Sequence, residues 1–80
     1  MATITEFRFS SHVERRITER QVDRDDMVKA VLSPDTKHQQ YRGTHGGIVW
    51  EFTKETDGKK LAVVAELYKK TCYFVTTFYL

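Results

Sequence analysis

The dipeptide Asp57-Gly58 constrains the fold of this chain more than any other local feature. It separates two segments, residues 47–55 and 60–68, which are rich in β-branched and aromatic side chains and follow a period of two. A type I′ turn needs positive φ angles at both central positions, and Asp-Gly tolerates them. The two segments are therefore predicted to pair as an antiparallel hairpin.

The rest of the C-terminal half continues the same strand-like pattern. Residues 37–42 are predicted as a strand that leads into the hairpin through the glycine-rich turn "RGTHGG". Residues 72–79 are predicted as the last strand, which follows a less clearly marked reversal at "YKKT". This half of the chain is expected to form a β-meander.

The N-terminal half starts with a short strand and then changes to helical spacing. "TITEFRFS", residues 3–10, has the β-branched and aromatic content of a strand. Ser11 and Glu14 have the spacing of a capping box, which predicts a helix that begins there and ends near Arg20.

A second helix is predicted directly after the first. Asp23 and Asp26 supply the negative charge that a helix start favours, and Pro34 marks the end. The apolar side chains of this helix recur at helical spacing and should be buried: Met27, Val28, Val31 and Leu32.

These elements define the expected fold class. Their order is β-α-α-β-β-β-β, an α+β domain in which two N-terminal helices pack on one face of an antiparallel sheet. A chain of 80 residues has room for one core, so residues 1–80 are predicted to form a single domain. Either residues 3–10 or residues 72–79 could form an exposed edge strand that pairs with a partner chain.

Charge and cysteine content narrow the class of protein. The formal net charge of +2 is only weakly suggestive of a nucleic-acid partner. The single cysteine, Cys72, cannot form an internal disulfide, so we expect a reducing, cytoplasmic setting. The longest apolar run, residues 61–65, is much shorter than the roughly 18 residues that a membrane-spanning helix needs.

Metal and nucleotide cofactors are not expected. His12, His38 and His45 lie on different predicted elements and lack the close spacing of metal ligands. The glycines of "GTHGG" match neither of the common phosphate-binding loop patterns, so they are interpreted as turn residues.

The stretch "SHVERRITER", residues 11–20, carries the most suggestive side chains. His12, Arg16 and Arg20 are four residues apart, so on a helix they fan across roughly 80° beside the apolar stripe. One interpretation is a solvated helix face with a partly buried histidine at its start. The other is a pair of guanidinium groups that clamp a phosphate while an imidazole, which titrates near neutral pH, moves a proton.

Two hydroxyl groups of the last strand are candidates on the same grounds. If Phe74, Phe78 and Leu80 point into the core, Thr77 and Tyr79 present their hydroxyls on the open face of the sheet. Such residues are common simply because they favour strands. They could equally stack on a base and bond a phosphate oxygen.

Over nearly its whole length, the sequence resembles a known family. "FSSHVERRITERQVDRDDMVKAVLSPD" is similar to the opening of a bacterial family of unknown function, with a histidine at a helix start and arginines at the following turns. "LAVVAEL" and "FVTTFYL" are similar to the family's close, in which the final strand ends in Thr-x-Tyr. That family resembles the RelE- and ParE-like toxins and, more widely, the metal-independent ribonucleases of the barnase, colicin and EndoU types.

The resemblance implies a helix-helix-sheet fold and a ribonuclease site. Carried over position by position, it implies His12 as acid or base, Arg16 or Arg20 on the scissile phosphate, Thr77 as a phosphate donor, and Tyr79 as a stacking group or proton donor. The implied reaction is transphosphorylation, in which the 2′-hydroxyl of RNA attacks the neighbouring phosphorus and no metal is required.

Two functions remain open from the sequence. The first is a ribonuclease toxin that cleaves RNA and is held in check by an antitoxin or immunity protein covering the basic cleft. The second is a non-catalytic binding module of the same fold with a protein or nucleic-acid partner, because relatives of the ParE type bind a protein target and fold alone does not decide function.

Overall fold

A computed structural model describes residues 3–80. It contains two helices and a five-stranded sheet. In chain order the elements are β1 (Glu6–Phe9), α1 (Ser11–Arg20), α2 (Arg24–Leu32), β2 (Thr36–Arg42), β3 (Ile48–Thr56), β4 (Lys59–Tyr68) and β5 (Thr71–Tyr79).

Helix α1 ends at the predicted residue, but a different serine caps its start. The hydroxyl of Ser10 accepts a hydrogen bond from the Val13 N–H at 3.2 Å, so the capping box predicted at Ser11 is wrong. The carboxylate of Glu14 pairs with Arg24 at the start of α2. This ion pair links the starts of the two helices, which a cap interaction of Glu14 would not do.

Helix α2 begins at the predicted aspartate. Asp23 is its N-cap, and the side-chain oxygen accepts from the Asp25 N–H at 2.8 Å. Met27, Ala30 and Val31 are buried, whereas Leu32, which was predicted to be buried, is 57% exposed in the last turn.

The sheet is mixed, so the predicted topology of two N-terminal helices on an antiparallel sheet is wrong. A strand precedes the helices, the spatial order is β1-β5-β4-β3-β2, and β1 pairs with β5 in parallel. The cause is the number of chain reversals. The two helices return the chain to the end of the sheet that it left, so β2 runs opposite to β1; three further hairpin-like reversals then make β5 opposite to β2 and parallel to β1.

The predicted Asp-Gly hairpin is confirmed. Asp57 and Gly58 connect β3 to β4 with φ angles of 50° and 76°, the signs that a type I′ turn requires. Lys69, with φ of 55°, helps to make the second tight reversal, between β4 and β5.

The core lies between the helices and one face of the sheet. Its buried side chains come from both helices and from the three central strands, and include Val13, Ile17, Met27, Phe52, Leu61, Val63, Ala65 and Phe74. Neither α1 nor α2 covers the other face, which we call the open face. The strands at the sheet edges are β1 and β2, so residues 72–79 do not form an edge strand. Neither α1 nor α2 is long and apolar enough to cross a membrane.

Candidate functional site

Arg20 lies beside β5 because the sheet leaves an unpaired edge there. Strand β1 ends at Phe9, opposite Phe74, so the described sheet gives the later residues of β5 no partner strand on that side. The Arg20 Nη1 donates to the Thr77 carbonyl oxygen at 2.7 Å. One of the five guanidinium N–H groups therefore satisfies a backbone acceptor at this edge, as a neighbouring strand otherwise would.

Thr77 faces the helices, and its hydroxyl is used inside the fold. The side chain is fully buried, and Oγ1 donates to the Ala62 carbonyl oxygen at 3.0 Å. The prediction that this hydroxyl lies on the open face is wrong, because Val75 is an extra residue in the register between β4 and β5. Such a bulge shifts the alternation by one, so Phe74 and Thr77 share a face.

Tyr79 follows Thr77 on the same side of β5. It packs partly buried against the core, and Lys59 Nζ lies 5.3 Å from the centroid of its ring. Of the five predicted site residues, Arg20 thus contacts Thr77, and Tyr79 lies two residues further along β5.

The other two predicted residues stand apart from this group. Arg16 pairs with Glu19, with 2.6 Å between Nη1 and Oε1. His12 is exposed at the start of α1, about 12 Å from Arg20 along the helix axis. Among residues 3–80, no hydrogen bond or ion pair joins His12 to Arg16, Arg20, Thr77 or Tyr79.

A second polar cluster, which the sequence did not predict, lies on the open face around Glu66 of β4. Glu66 is 2% exposed, and its carboxylate contacts three donor groups of the loop between β2 and β3. The backbone N–H of His45 donates to it at 2.9 Å, that of Gly47 at 2.8 Å, and His45 Nδ1 lies 3.0 Å from Oε1. The loop is therefore fixed to β4 by one buried carboxylate.

The imidazole ring of His45 is held from two directions. Glu66 contacts one ring nitrogen, and the ring stacks on Tyr73 of β5 with centroids 3.8 Å apart and planes inclined by 4°. The His45 side chain is nevertheless 48% exposed. We call these three residues, His45, Glu66 and Tyr73, the open-face cluster.

The charge state of Glu66 follows from its hydrogen bonds. Burial raises the pKa of this carboxyl, but the His45 ring, the Gly47 N–H and the His45 N–H together outweigh burial and hold the pKa below its ordinary value of 4.5. Glu66 is therefore ionised at neutral pH and can only accept hydrogen bonds.

The glycines of the loop allow this close approach. A Cβ atom on Gly43 would lie 2.0 Å from the Glu66 Cδ, and one on Gly47 would lie 2.2 Å from the Leu67 carbonyl oxygen. The sequence prediction treated "GTHGG" only as a turn and did not foresee its contact with Glu66. The available signal was a single carboxylate in the apolar strand "LAVVAEL" together with a histidine flanked by glycines.

Two cations belong to elements that adjoin the open-face cluster, Arg8 on β1 and Lys69 in the turn after β4. Arg8 of β1 lies opposite Tyr73 in the parallel register, and its guanidinium pairs with Glu6 on the same face. The Tyr68 ring packs under Gly46, and Lys69 Nζ lies 5.2 Å from its centroid. The strand next to Tyr73 and the turn after Tyr68 thus each carry a cation.

Within residues 3–80, no three His, Cys, Asp or Glu side chains are grouped to hold a metal ion. Comparisons with models of protein families, with curated proteins and with solved structures find no match.

Proposed function

We propose that this protein acts on RNA as a metal-independent ribonuclease of the toxin type, which cleaves by transphosphorylation and is neutralised by an antitoxin or immunity protein. The single observation that supports it best is the group at the end of β5, where Arg20 reaches Thr77 while Lys59 lies over Tyr79. A cation over a partly exposed aromatic ring, with a second cation bound to the same strand two residues earlier, suits a surface that holds a phosphate and stacks a base.

The proposed reaction needs a base for the 2′-hydroxyl, positive charge on the phosphate and an acid for the leaving oxygen. In the set taken from the resemblance, His12 is the base and Arg16 or Arg20 the cation. Thr77 then contributes through its backbone carbonyl, which orients Arg20, because its hydroxyl donates to Ala62.

A metal-free cleavage assay tests this function. The protein is incubated with single-stranded RNA in excess chelator, and products are examined for a 2′,3′-cyclic phosphate end, the signature of attack by the 2′-hydroxyl. We expect cleavage by the wild type and weaker RNA binding by Arg20→Gln. Arg15→Gln is the matched control, because Arg15 is an exposed arginine of the same helix and its loss changes the net charge equally.

The salt dependence of binding gives a second measure. Loss of one phosphate contact lowers the slope of log K against log salt concentration by about 0.7 for a single strand. Arg20→Gln should lower this slope more than Arg15→Gln does. Equal slopes in the two variants, with no cleavage by the wild type, would contradict the proposal.

The second candidate is a non-catalytic binding module of the same fold. It is favoured by the structural use of the predicted catalytic groups, since Thr77 donates to Ala62 and Arg20 to the edge of β5. A wild type that expresses without toxicity and binds RNA or a protein partner without cleaving RNA would favour this candidate.

A further inference from the structure

We propose that His45 is the general base for RNA cleavage and that the substrate phosphate lies over the open-face cluster. This inference rests on the proposed function, and it moves the chemistry from α1 to the uncovered side of the sheet. The juxtaposition that carries it is a half-exposed imidazole held by a buried carboxylate at 3.0 Å and stacked on Tyr73.

The hydrogen bond to Glu66 determines which ring nitrogen can accept a proton. An ionised carboxylate has no proton to donate, so the proton between Nδ1 and Oε1 belongs to His45. In the neutral ring the other nitrogen, Nε2, then has an unprotonated lone pair. When Nε2 takes a proton, Nδ1–H still points at the same carboxylate, which is the arrangement of an oriented histidine base.

The cluster is built more rigidly than loop attachment requires. Two backbone N–H groups, from His45 and Gly47, already fix the loop to Glu66. The additional ring contact and the stacking on Tyr73 fix the orientation of a side chain that is nevertheless half exposed. Fixed orientation with solvent access is what a base needs to meet a substrate proton.

The surroundings favour a phosphodiester over a neutral substrate. Arg8 lies opposite Tyr73 on the neighbouring strand and the same face, and Lys69 Nζ lies over the Tyr68 ring. Glu6, the present partner of Arg8, is exposed, and such surface pairs are weak enough for a phosphate to replace. The partly exposed rings of Tyr68 and Tyr73 add aromatic faces next to these cations.

The proposed step balances without a metal. Nε2 of His45 takes the proton of the 2′-hydroxyl, the 2′-oxygen forms a bond to phosphorus, and the bond from phosphorus to the 5′-oxygen breaks. The departing 5′-oxygen takes a proton from water, and the imidazolium returns its proton to solvent. The products are a 2′,3′-cyclic phosphate and a free 5′-hydroxyl.

His12 and His45 belong to elements on opposite faces of the sheet. Helix α1 lies on the helical face of the sheet, whereas Glu66 and Tyr73 alternate with core residues and point to the open face. The sheet itself separates the two imidazoles.

The first experiment compares three histidine variants in the chelator-treated RNA assay. We expect His45→Ala to lower the cleavage rate about 100-fold or more, the usual contribution of a general base. Added imidazole should restore part of that rate. His38→Ala is the matched control, because His38 is an exposed histidine on β2 outside the cluster, and it should cleave like the wild type. His12→Ala tests the base taken from the resemblance. Undiminished cleavage by His45→Ala overturns our inference and leaves the proposed function intact.

The second experiment does not depend on cleavage. Uridine 3′-monophosphate is titrated into the wild type while the ring resonances of the histidines are followed by NMR, with uridine as the phosphate-free control. We expect the His45 resonance to move with the nucleotide and not with uridine, and the His38 resonance to stay. If His45 moves but the wild type does not cleave RNA, the proposed function fails and the catalytic role of His45 fails with it, leaving a phosphate site. If His45 does not move, the inference is wrong whatever the cleavage result.

Discussion

Replacing Glu66 with alanine should destabilise the fold far more than loss of a surface carboxylate does. The side chain accepts from the N–H groups of His45 and Gly47 and from the His45 ring, and Gly47 is buried. A buried donor left without an acceptor costs about 1–3 kcal/mol. The two His45 donors can turn partly to water, so most of the cost comes from Gly47.

We therefore expect Glu66→Ala to lower the free energy of unfolding by about 2–4 kcal/mol. A chain of 80 residues has a total of only about 4–12 kcal/mol, so the effect would be a large fraction of the stability. Urea denaturation followed by circular dichroism measures it, and Glu55→Ala is the matched control, because Glu55 is exposed on β3. Equal midpoints and slopes for the two variants would refute the role that we assign to Glu66.

Two further predictions follow from the pKa shifts. Because hydrogen bonding lowers the pKa of Glu66 in the folded state, its stabilisation is fully present above the ordinary value of 4.5 and is lost as pH falls through the lower folded pKa. Urea midpoints of the wild type and Glu66→Gln should thus converge on acidification below pH 4.5, and a constant difference down to pH 2 would contradict this. Burial raises the pKa of the Cys72 thiol to about 12, so a thiol reagent at neutral pH should label Cys72 only in denaturant; rapid labelling of the folded protein would show the cysteine to be accessible.

Local sequence signals predicted the elements well and their arrangement poorly. Asp57-Gly58 places a turn through its own backbone preference, and Asp23 places a helix start through its own side chain, so both could be recognised from a few residues. The parallel pairing of β1 with β5 depends on counting every reversal of the chain, and no short segment carries that information.

In β5, one extra residue changes which side chains face the core, so a prediction from strict alternation is wrong there. Strict alternation puts Thr77 on the face opposite Phe74, but the extra residue Val75 brings them to the same face. Apart from its position in a β-rich segment, Val75 has no sequence feature that marks a bulge. The prediction that Thr77 lies on the open face was therefore wrong because of the register shift, although the strand itself was predicted correctly.

The arginines of α1 and the open-face cluster differ in whether the fold alone accounts for their charged groups. On α1, Arg20 donates to the Thr77 carbonyl oxygen at the unpaired edge of β5, and Arg16 pairs with Glu19. Both arginines therefore have roles in the fold without a ligand. Glu66 is different, because burying a carboxylate is costly and an apolar residue would suit the strand "LAVVAEL" better. The charge holds a loop and, beyond that need, orients a half-exposed imidazole. His45 is for that reason the histidine whose removal tests catalysis most directly.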